Sequence, residues 1–127
     1  MRKVLALSLA VAGLGGGIAF AGYHWSPTLP VEIQDEYAHV YLGAARNSPN
    51  GYEYGSCQSY ASQYGALVSC YAYDGEGAAF CWSDQEQFRL ALAAVDNDSR
   101  ISFGWDKEGR CTMLTVEQNS SYESKGP

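Results

Sequence analysis

The sequence predicts an α+β domain in which a small antiparallel sheet, ordered as three strands, a helix and two strands, is stapled by two disulfides. Three observations predict it. Several short runs alternate apolar and polar residues, one longer run has apolar residues at helical spacing, and four cysteines follow an apolar N-terminus. An even number of cysteines in a short exported chain is typical of disulfides rather than of a metal site.

The N-terminus has the three parts of a secretory signal peptide in the right order. Arg2 and Lys3 precede an uncharged apolar stretch, residues 4–20, and residues 19–21 form an A-x-A cleavage site. A membrane anchor is the alternative, but about 17 apolar residues are fewer than the roughly 20 needed to span a bilayer. We therefore expect a signal peptide over residues 1–21 and a protein located in the periplasm or outside a bacterial cell.

Composition divides the remaining chain into three parts. Residues 22–51 contain three of the four prolines and no cysteine, which predicts an extended N-terminal segment. Within it, residues 31–45 have an apolar patch that fits a strand or a short helix. Residues 52–118 carry all four cysteines and form the predicted domain, and the polar, Ser-rich residues 119–127 are predicted to be a flexible tail.

The first three strands of the predicted domain follow one another closely. Tyrosines alternate with smaller residues in residues 52–60, and residues 66–74 place Val68, Cys70 and Ala72 on one side. The Asp-Gly-Glu-Gly sequence at residues 74–77 predicts a tight turn into a third strand, residues 78–83, because glycine accepts positive φ.

The predicted turn sets the register of two cysteines. If the glycine and glutamate after Asp74 form the turn, Cys70 lies opposite Cys81, about 4.5 to 5.5 Å away and within disulfide reach. The same register makes them a hydrogen-bonded pair, which suits a disulfide less well than the closer non-hydrogen-bonded pair. Of the three possible pairings we expect Cys70 with Cys81, which leaves Cys57 for Cys111 and ties the first strand to the last.

A helix and two further strands complete the domain. Ser83 and Glu86 have the spacing of a capping box, so we expect the helix to begin there and to end near residues 96–98. Its apolar residues recur at i, i+3, i+4 and i+7, namely Phe88, Ala91, Leu92 and Val95. Apolar and polar residues alternate within residues 101–105 and within residues 112–116. A turn at residues 106–109 separates the two segments, which predicts two antiparallel strands.

Several short motifs are spread over residues 42–121. They are LGAARNS at 42–48, GSC at 55–57, CYA at 70–72, Cys81, DS at 98–99, WD at 105–106 and GRCT at 109–112. In combination they resemble a group of small exported bacterial proteins of uncharacterised function. The resemblance implies export and a shared four-cysteine frame, and it supplies no catalytic residue.

Charge and cysteine spacing argue against several classes of partner. Without the signal peptide the chain keeps six Lys and Arg against 14 Asp and Glu, a net charge of −8. Such a chain does not favour nucleic acid or an anionic membrane surface, both of which need clustered cations. Cysteines 13, 11 and 30 residues apart form no C-x-x-C pair, both histidines lie outside the cysteine region, and residues 96–99 lack the EF-hand pattern. We expect no metal and no cofactor.

Catalytic residues are hard to find in the sequence. No G-x-S-x-G motif accompanies a serine, and cysteines in disulfides are not nucleophiles. A glycosidase needs only two carboxylates at a suitable separation, so a small secreted hydrolase with a carboxylate pair is the alternative function. The candidate carboxylates are Glu53, Asp74, Glu76, Asp98 and Asp106.

The aromatic residues give a stronger indication of function. By the registers above, one side of the sheet carries Tyr52, Tyr54, Tyr60, Tyr71, Tyr73, Phe80 and Trp82. Either Phe88 and Leu92 of the helix cover this side as core, or the uncovered part is a contact surface for a protein, a peptide or a glycan, because so many hydroxyls need partners when buried. We expect an exported, non-catalytic interaction or envelope-associated module. Its predicted binding residues are Tyr52, Tyr54, Tyr71, Tyr73 and Trp82.

Overall fold

The structure is a computed structural model that describes residues 29–119, 121 and 122 of the 127-residue chain. The predicted signal peptide, residues 1–21, lies outside the described residues, as do residues 22–28 and most of the predicted tail. Neither of the helices in these described residues has the length or the hydrophobicity of a membrane-spanning segment.

The described residues form two antiparallel sheets and two short helices. In chain order these are β1 Val31–Ile33, β2 Tyr37–Tyr41, α1 Leu42–Arg46, β3 Tyr54–Ser62, β4 Gly65–Tyr73, β5 Ala78–Ser83, α2 Glu86–Leu92, β6 Arg100–Trp105 and β7 Cys111–Glu117. One sheet has the order β1-β2-β6-β7 and the other β3-β4-β5. The α+β class and the two disulfides are confirmed, whereas the order of three strands, a helix and two strands in one sheet is wrong.

The difference arises in residues 31–46, which lie within the predicted extended segment and for which a strand or a short helix is the stated alternative. They form β1, β2 and α1, and β2 lies between β1 and β6 inside the four-stranded sheet. Ala38 and Val40 of β2 are fully buried, while His39 between them faces the other side. An alternating run of only five residues is too short to distinguish a strand from a helix by period alone.

The three-stranded sheet follows the predicted register. In the β4–β5 hairpin Cys70 pairs with Cys81 and Tyr71 with Phe80, and β3 pairs with β4 over its whole length. The side facing the core carries small residues, among them Ala72 and Ala79, and the larger rings face outward.

The predicted pairing of the cysteines is wrong, because the disulfides join Cys57 to Cys70 and Cys81 to Cys111. In an antiparallel ladder the N–H and C=O of one residue point to the same neighbouring strand. A hydrogen bond closes the β4–β5 turn. By alternation along β4 from that bond, the N–H and C=O of Cys70 point toward Cys81. Cys57 is then the closer, non-hydrogen-bonded neighbour, and its Cα lies 4.0 Å from that of Cys70.

A β-bulge directs Cys111 toward the core. The β6–β7 register shifts between Gly104 and Trp105, which pair with Met113 and Cys111, so Thr112 between them is the extra residue. Without the bulge, strict alternation would place Thr112 inward and Cys111 outward. With the bulge, Cys111 is buried and Thr112 is exposed.

The two sheets meet at this point and enclose one core. The Cys81–Cys111 disulfide joins β5 to β7, and the Trp82 amide donates a hydrogen bond to the Gly109 carbonyl at 3.1 Å. The core contains residues of both sheets, chiefly Val31, Ala38, Val40, Val68, Cys70, Ala72, Ile101 and Phe103.

Helix α2 covers part of this core with the predicted face. Phe88 is buried, and Leu92 and Val95 pack against the core cluster. The helix begins at Glu86 rather than at Ser83, and it has no side-chain cap, because the Ser83 hydroxyl accepts a hydrogen bond from the Gln85 amide instead. It contacts β3, β4 and β7.

Candidate functional site

The outward side of the three-stranded sheet is the candidate site. We call it the aromatic face and define it by six residues, Tyr54, Tyr60, Tyr71, Tyr73, Phe80 and Trp82. They lie on one side because paired residues share a face and alternate residues along a strand do too. The other side chains that β3, β4 and β5 direct outward are also uncharged, in a chain with a net charge of −6.

The aromatic face is open to solvent. Tyr54 is 54% exposed and Phe80 is 51% exposed. Helix α2 lies on the opposite side of the sheet, where it lines a cavity with Cys57, so Phe88 and Leu92 do not cover the rings. The structure therefore supports the interpretation in which the aromatic side faces water, and not the one in which the helix covers it as core.

Neighbouring groups hold the margins of the aromatic face in place. The Tyr73 hydroxyl donates to the Gly75 carbonyl at 3.1 Å, and the guanidinium carbon of Arg110 lies 4.6 Å from the centre of the Trp82 ring. The ring of Tyr52 lies over Gly75, where a Cβ would approach it to 2.3 Å. Gly75 also has a φ of +97°, so the turn and this contact both require glycine.

The predicted binding residues thus fall into two groups. Tyr54 and Tyr71 lie together on the open face, with ring centroids 6.0 Å apart. Tyr73 and Trp82 are half-buried at its margins, and Tyr52 precedes β3 and packs on the turn. The predicted set omitted Phe80, although the alternation of β5 placed it on the same side.

Two of the five carboxylates proposed as catalytic candidates accept hydrogen bonds from backbone amides of the turns in which they lie. Asp74 accepts the amides of Glu76 and Gly77, both at 2.8 Å, and these bonds lower the pKa of Asp74 below its usual range. Asp106 accepts the amides of Glu108 and Arg110 in the same way. These are the bonds that Asp makes in turns.

Two of the other three candidates also have polar partners. Asp98 pairs with Arg46 at 3.2 Å, and Glu53 accepts hydrogen bonds from Ser48 and Asn50. Among the described residues, no group of three or more His, Cys, Asp and Glu side chains is placed to hold a metal ion.

A cluster around His39, on the outward side of the four-stranded sheet, was not predicted. His39 Nδ1 lies 3.0 Å from Arg100 Nη2 and 3.3 Å from Ser102 Oγ, and His39 Nε2 lies 3.6 Å from Glu32 Oε2. A guanidinium only donates, so Nδ1 accepts and the ring proton lies on Nε2. Because Arg100 already uses the Nδ1 lone pair and Ser102 is buried in the middle of a strand, the geometry fits a structural network better than a serine nucleophile with its base.

The end of the described chain belongs to this cluster. Tyr122, in the segment predicted to be a flexible tail, packs edge-on against Tyr41 with ring centroids 5.3 Å apart. Burial and a hydrogen bond with Glu117 raise the pKa of Tyr122 to about 12. Glu117 also pairs with Arg100 at 3.0 Å, so the network connects β2, β6, β7 and residue 122.

The His39 cluster predicts that the protein loses stability in mild acid. Burial, followed by the charge of Arg100, lowers the pKa of His39 below its usual 6.5, while Glu32 opposes the shift. The unfolded chain therefore binds more protons than the folded one as the pH falls below about 6.5, and the free energy of unfolding decreases. Urea denaturation at pH 8 and pH 5.5 should show a lower midpoint at the acid pH, and His39→Gln should reduce the difference. An equal difference in the variant would contradict the assignment to His39.

Comparison of the chain with protein-family models, with curated proteins and with solved structures found no match. The interpretation of the site therefore depends on its geometry. Within that geometry the aromatic face combines exposed, neighbouring rings with strands that carry no charged side chain, and the His39 cluster and the turn carboxylates do not.

Proposed function

We propose that the protein is an exported, non-catalytic interaction module that binds its partner through the aromatic face. The observation that carries this proposal is the solvent exposure of several neighbouring rings on a sheet without charged side chains. Soluble monomers rarely leave a large continuous apolar patch in water, and such patches mark binding surfaces. Tyrosine and tryptophan are enriched in interfaces because they combine a large apolar ring with a polar group.

The chemistry of the aromatic face defines the class of partner. Its polar side chains are hydroxyls and amides, such as Ser56, Gln58 and Ser69, which lie between the rings. The rings offer stacking contacts and the polar groups offer neutral hydrogen bonds. The partner is therefore an uncharged surface of a protein, a peptide or a glycan, and its affinity depends little on salt, since screening weakens charge interactions only.

The two disulfides support the exported location. All four described cysteines are paired, and disulfides persist in oxidising compartments such as the periplasm and the extracellular space. This is compatible with the signal peptide predicted over residues 1–21, and in either compartment we expect the aromatic face to meet envelope or extracellular partners.

Matched tyrosine variants test the proposal. Tyr71 on the aromatic face is 37% exposed, and Tyr37 on the outward side of the other sheet is 39% exposed. We expect Tyr71→Ser to reduce capture of envelope components at least tenfold, as loss of a central interface residue does, while Tyr37→Ser leaves capture unchanged. Quantitative mass spectrometry of pulldowns at low and high salt measures both. Equal capture by wild type and Tyr71→Ser contradicts binding through this face.

A further inference from the structure

The outer edge of β3 is unusually open for a sheet edge. β3 has nine residues, is an end strand of its sheet, and contains neither proline nor a charged residue. Its ladder with β4 runs from Tyr54 to Ser62 without a register shift. Natural proteins usually guard such edges with charges, proline or bulges, because an open edge pairs with another strand.

The backbone groups that point away from β4 can be identified from the disulfide. Cys57 and Cys70 are a non-hydrogen-bonded pair, so the N–H and C=O of Cys57 point to the free edge. By alternation, those of Gly55, Ser59 and Ala61 do the same. Among the described residues, none of the backbone hydrogen bonds outside the ladders involves these four. The edge therefore presents a row of four donors and four acceptors at strand spacing.

A groove runs beside this row of backbone groups. A cavity of about 380 Å³ lies next to Cys57 and Ser59, and a second of about 280 Å³ lies next to Gly55. The opposite wall of the first is formed by Arg89, Leu92, Ala93 and Val95, and that of the second by Leu42, Ala45, Arg46 and Asn97. We call this the edge groove, and it stays open because the residues of β3 that face it have small side chains.

Three charged side chains lie along the edge groove, of which Glu53 accepts hydrogen bonds from Ser48 and Asn50 and the two arginines form ion pairs. Arg46 forms an ion pair with Asp98, and Arg89 forms one with Glu86, three residues before it in α2. The walls next to the larger cavity are otherwise apolar, with Leu92 and Val95 packed against the core. An occupant therefore needs a polar backbone on the β3 side and uncharged side chains on the groove side.

We propose that the edge groove binds an extended peptide segment of a partner protein, which adds to the sheet as a strand beside β3. A peptide backbone supplies donors and acceptors at the same spacing as those of β3, as in other cases of strand addition. Its alternate side chains, apolar and of modest size, enter the cavities, and the side chains between them lie beside Tyr54 and Tyr60. The inference rests on the proposed function, since those intervening side chains extend the aromatic face and identify the partner as a protein.

A proline scan of the edge tests the pairing. Ser59→Pro removes an N–H that points to the free edge and leaves the β4 ladder intact, and Ser59→Ala is the matched control. The probe is a capped nine-residue peptide of alternating valine and threonine. We expect it to protect the amides of Cys57 and Ser59 from hydrogen exchange in the wild type. We expect its affinity to fall at least tenfold in Ser59→Pro and to change less than twofold in Ser59→Ala.

Two further measurements guard against a result that reflects misfolding of Ser59→Pro or the particular peptide sequence. Ala93→Trp fills the larger cavity without changing any residue of a strand and should also weaken binding at least tenfold, whereas Ala94→Trp, one residue farther along, should not. A peptide with N-methyl groups on alternate residues cannot complete the ladder and should bind at least tenfold more weakly. The proposal is overturned if peptide binding is unchanged by Ser59→Pro, by Ala93→Trp and by N-methylation of the peptide. It is also overturned if millimolar peptide protects no amide of β3 from exchange.

The remaining outcomes separate this inference from the proposed function and from self-association. A wild type that sediments as a dimer, becomes monomeric as Ser59→Pro and binds no peptide would show that a second copy occupies the edge, which also overturns the proposal. If Tyr71→Ser abolishes partner capture while Ser59→Pro does not, the edge groove fails and the aromatic face stands. The reverse pattern supports the edge groove and contradicts the aromatic face.

Discussion

Replacing Cys81 and Cys111 together by alanine is expected to lower the free energy of unfolding by about 3.5 kcal/mol, because the bond closes a loop of about 30 residues in the unfolded chain. The same bond is the covalent link between the two sheets. Urea denaturation without reductant measures the loss. The matched control removes Cys57–Cys70, which closes a loop of 13 residues inside a hairpin and should cost less. If removing Cys57–Cys70 lowered the free energy of unfolding more than removing Cys81–Cys111, the larger stabilisation expected from the bond between the sheets would be contradicted.

The pairing itself can be checked by a protease that cleaves after acidic residues. No Asp or Glu separates Cys57 from Cys70, whereas Asp74 lies between Cys70 and Cys81. Digestion of the denatured, unreduced protein should yield one fragment with an internal disulfide and a second product in which the Cys81 peptide is joined to the Cys111 peptide. A single product that joins all three peptides would contradict this pairing, because each of the two other pairings, including Cys70 with Cys81 and Cys57 with Cys111, links them all.

Local sequence signals were sufficient for the three-stranded sheet. The Asp-Gly-Glu-Gly turn fixes the register of β4 and β5, because the turn length determines which residues face each other. The apolar face of α2 was also predictable, since Phe88 and Leu92 have helical spacing. Both features depend on residues close together in the chain.

Features that depend on distant residues could not be predicted in this way. β2 pairs with β6, more than fifty residues later, and nothing near Ala38 or Val40 indicates that partner. The cysteine pairing depends on the phase of the hydrogen-bond ladder and on the bulge at Thr112, which have no local signal in the residues themselves. The geometric reservation about Cys70 and Cys81 was nevertheless the correct one, since the hydrogen-bonded position is the one without the disulfide.

The candidate site illustrates the same limit. Alternation showed which residues of β4 share a side, but not which side meets the core. Hydrophobicity suggests burying Tyr71 and Phe80 rather than Ala72 and Cys70, and the structure does the reverse. The reason lies in the approach of the two sheets, which is too close for large side chains at several inward positions. Gly55 of β3, for example, lies against Val40 of β2.

Gly55→Ala is therefore expected to lower the free energy of unfolding by about 2 to 3 kcal/mol, the upper part of the range for overpacked cores. A Cβ at this position would lie 2.5 Å from one methyl of Val40 and 2.6 Å from the other. Val40 is fully buried and β-branched, so it cannot rotate away easily. Urea denaturation measures the loss, and Gly77→Ala is the control, because a Cβ there meets nothing within 4 Å.

A double-mutant cycle assigns the cost to this one contact. Val40→Ala removes both methyl groups and destabilises the protein by itself, but it also makes room for a methyl at position 55. Gly55→Ala combined with Val40→Ala should therefore cost clearly less than the sum of the single changes, since residues in contact are not additive. Additive losses, or equal losses for Gly55→Ala and Gly77→Ala, would contradict the close approach of the sheets. The outward placement of the aromatic rings would then lack its physical cause, because an inner space wide enough for Tyr71 or Phe80 would favour their burial.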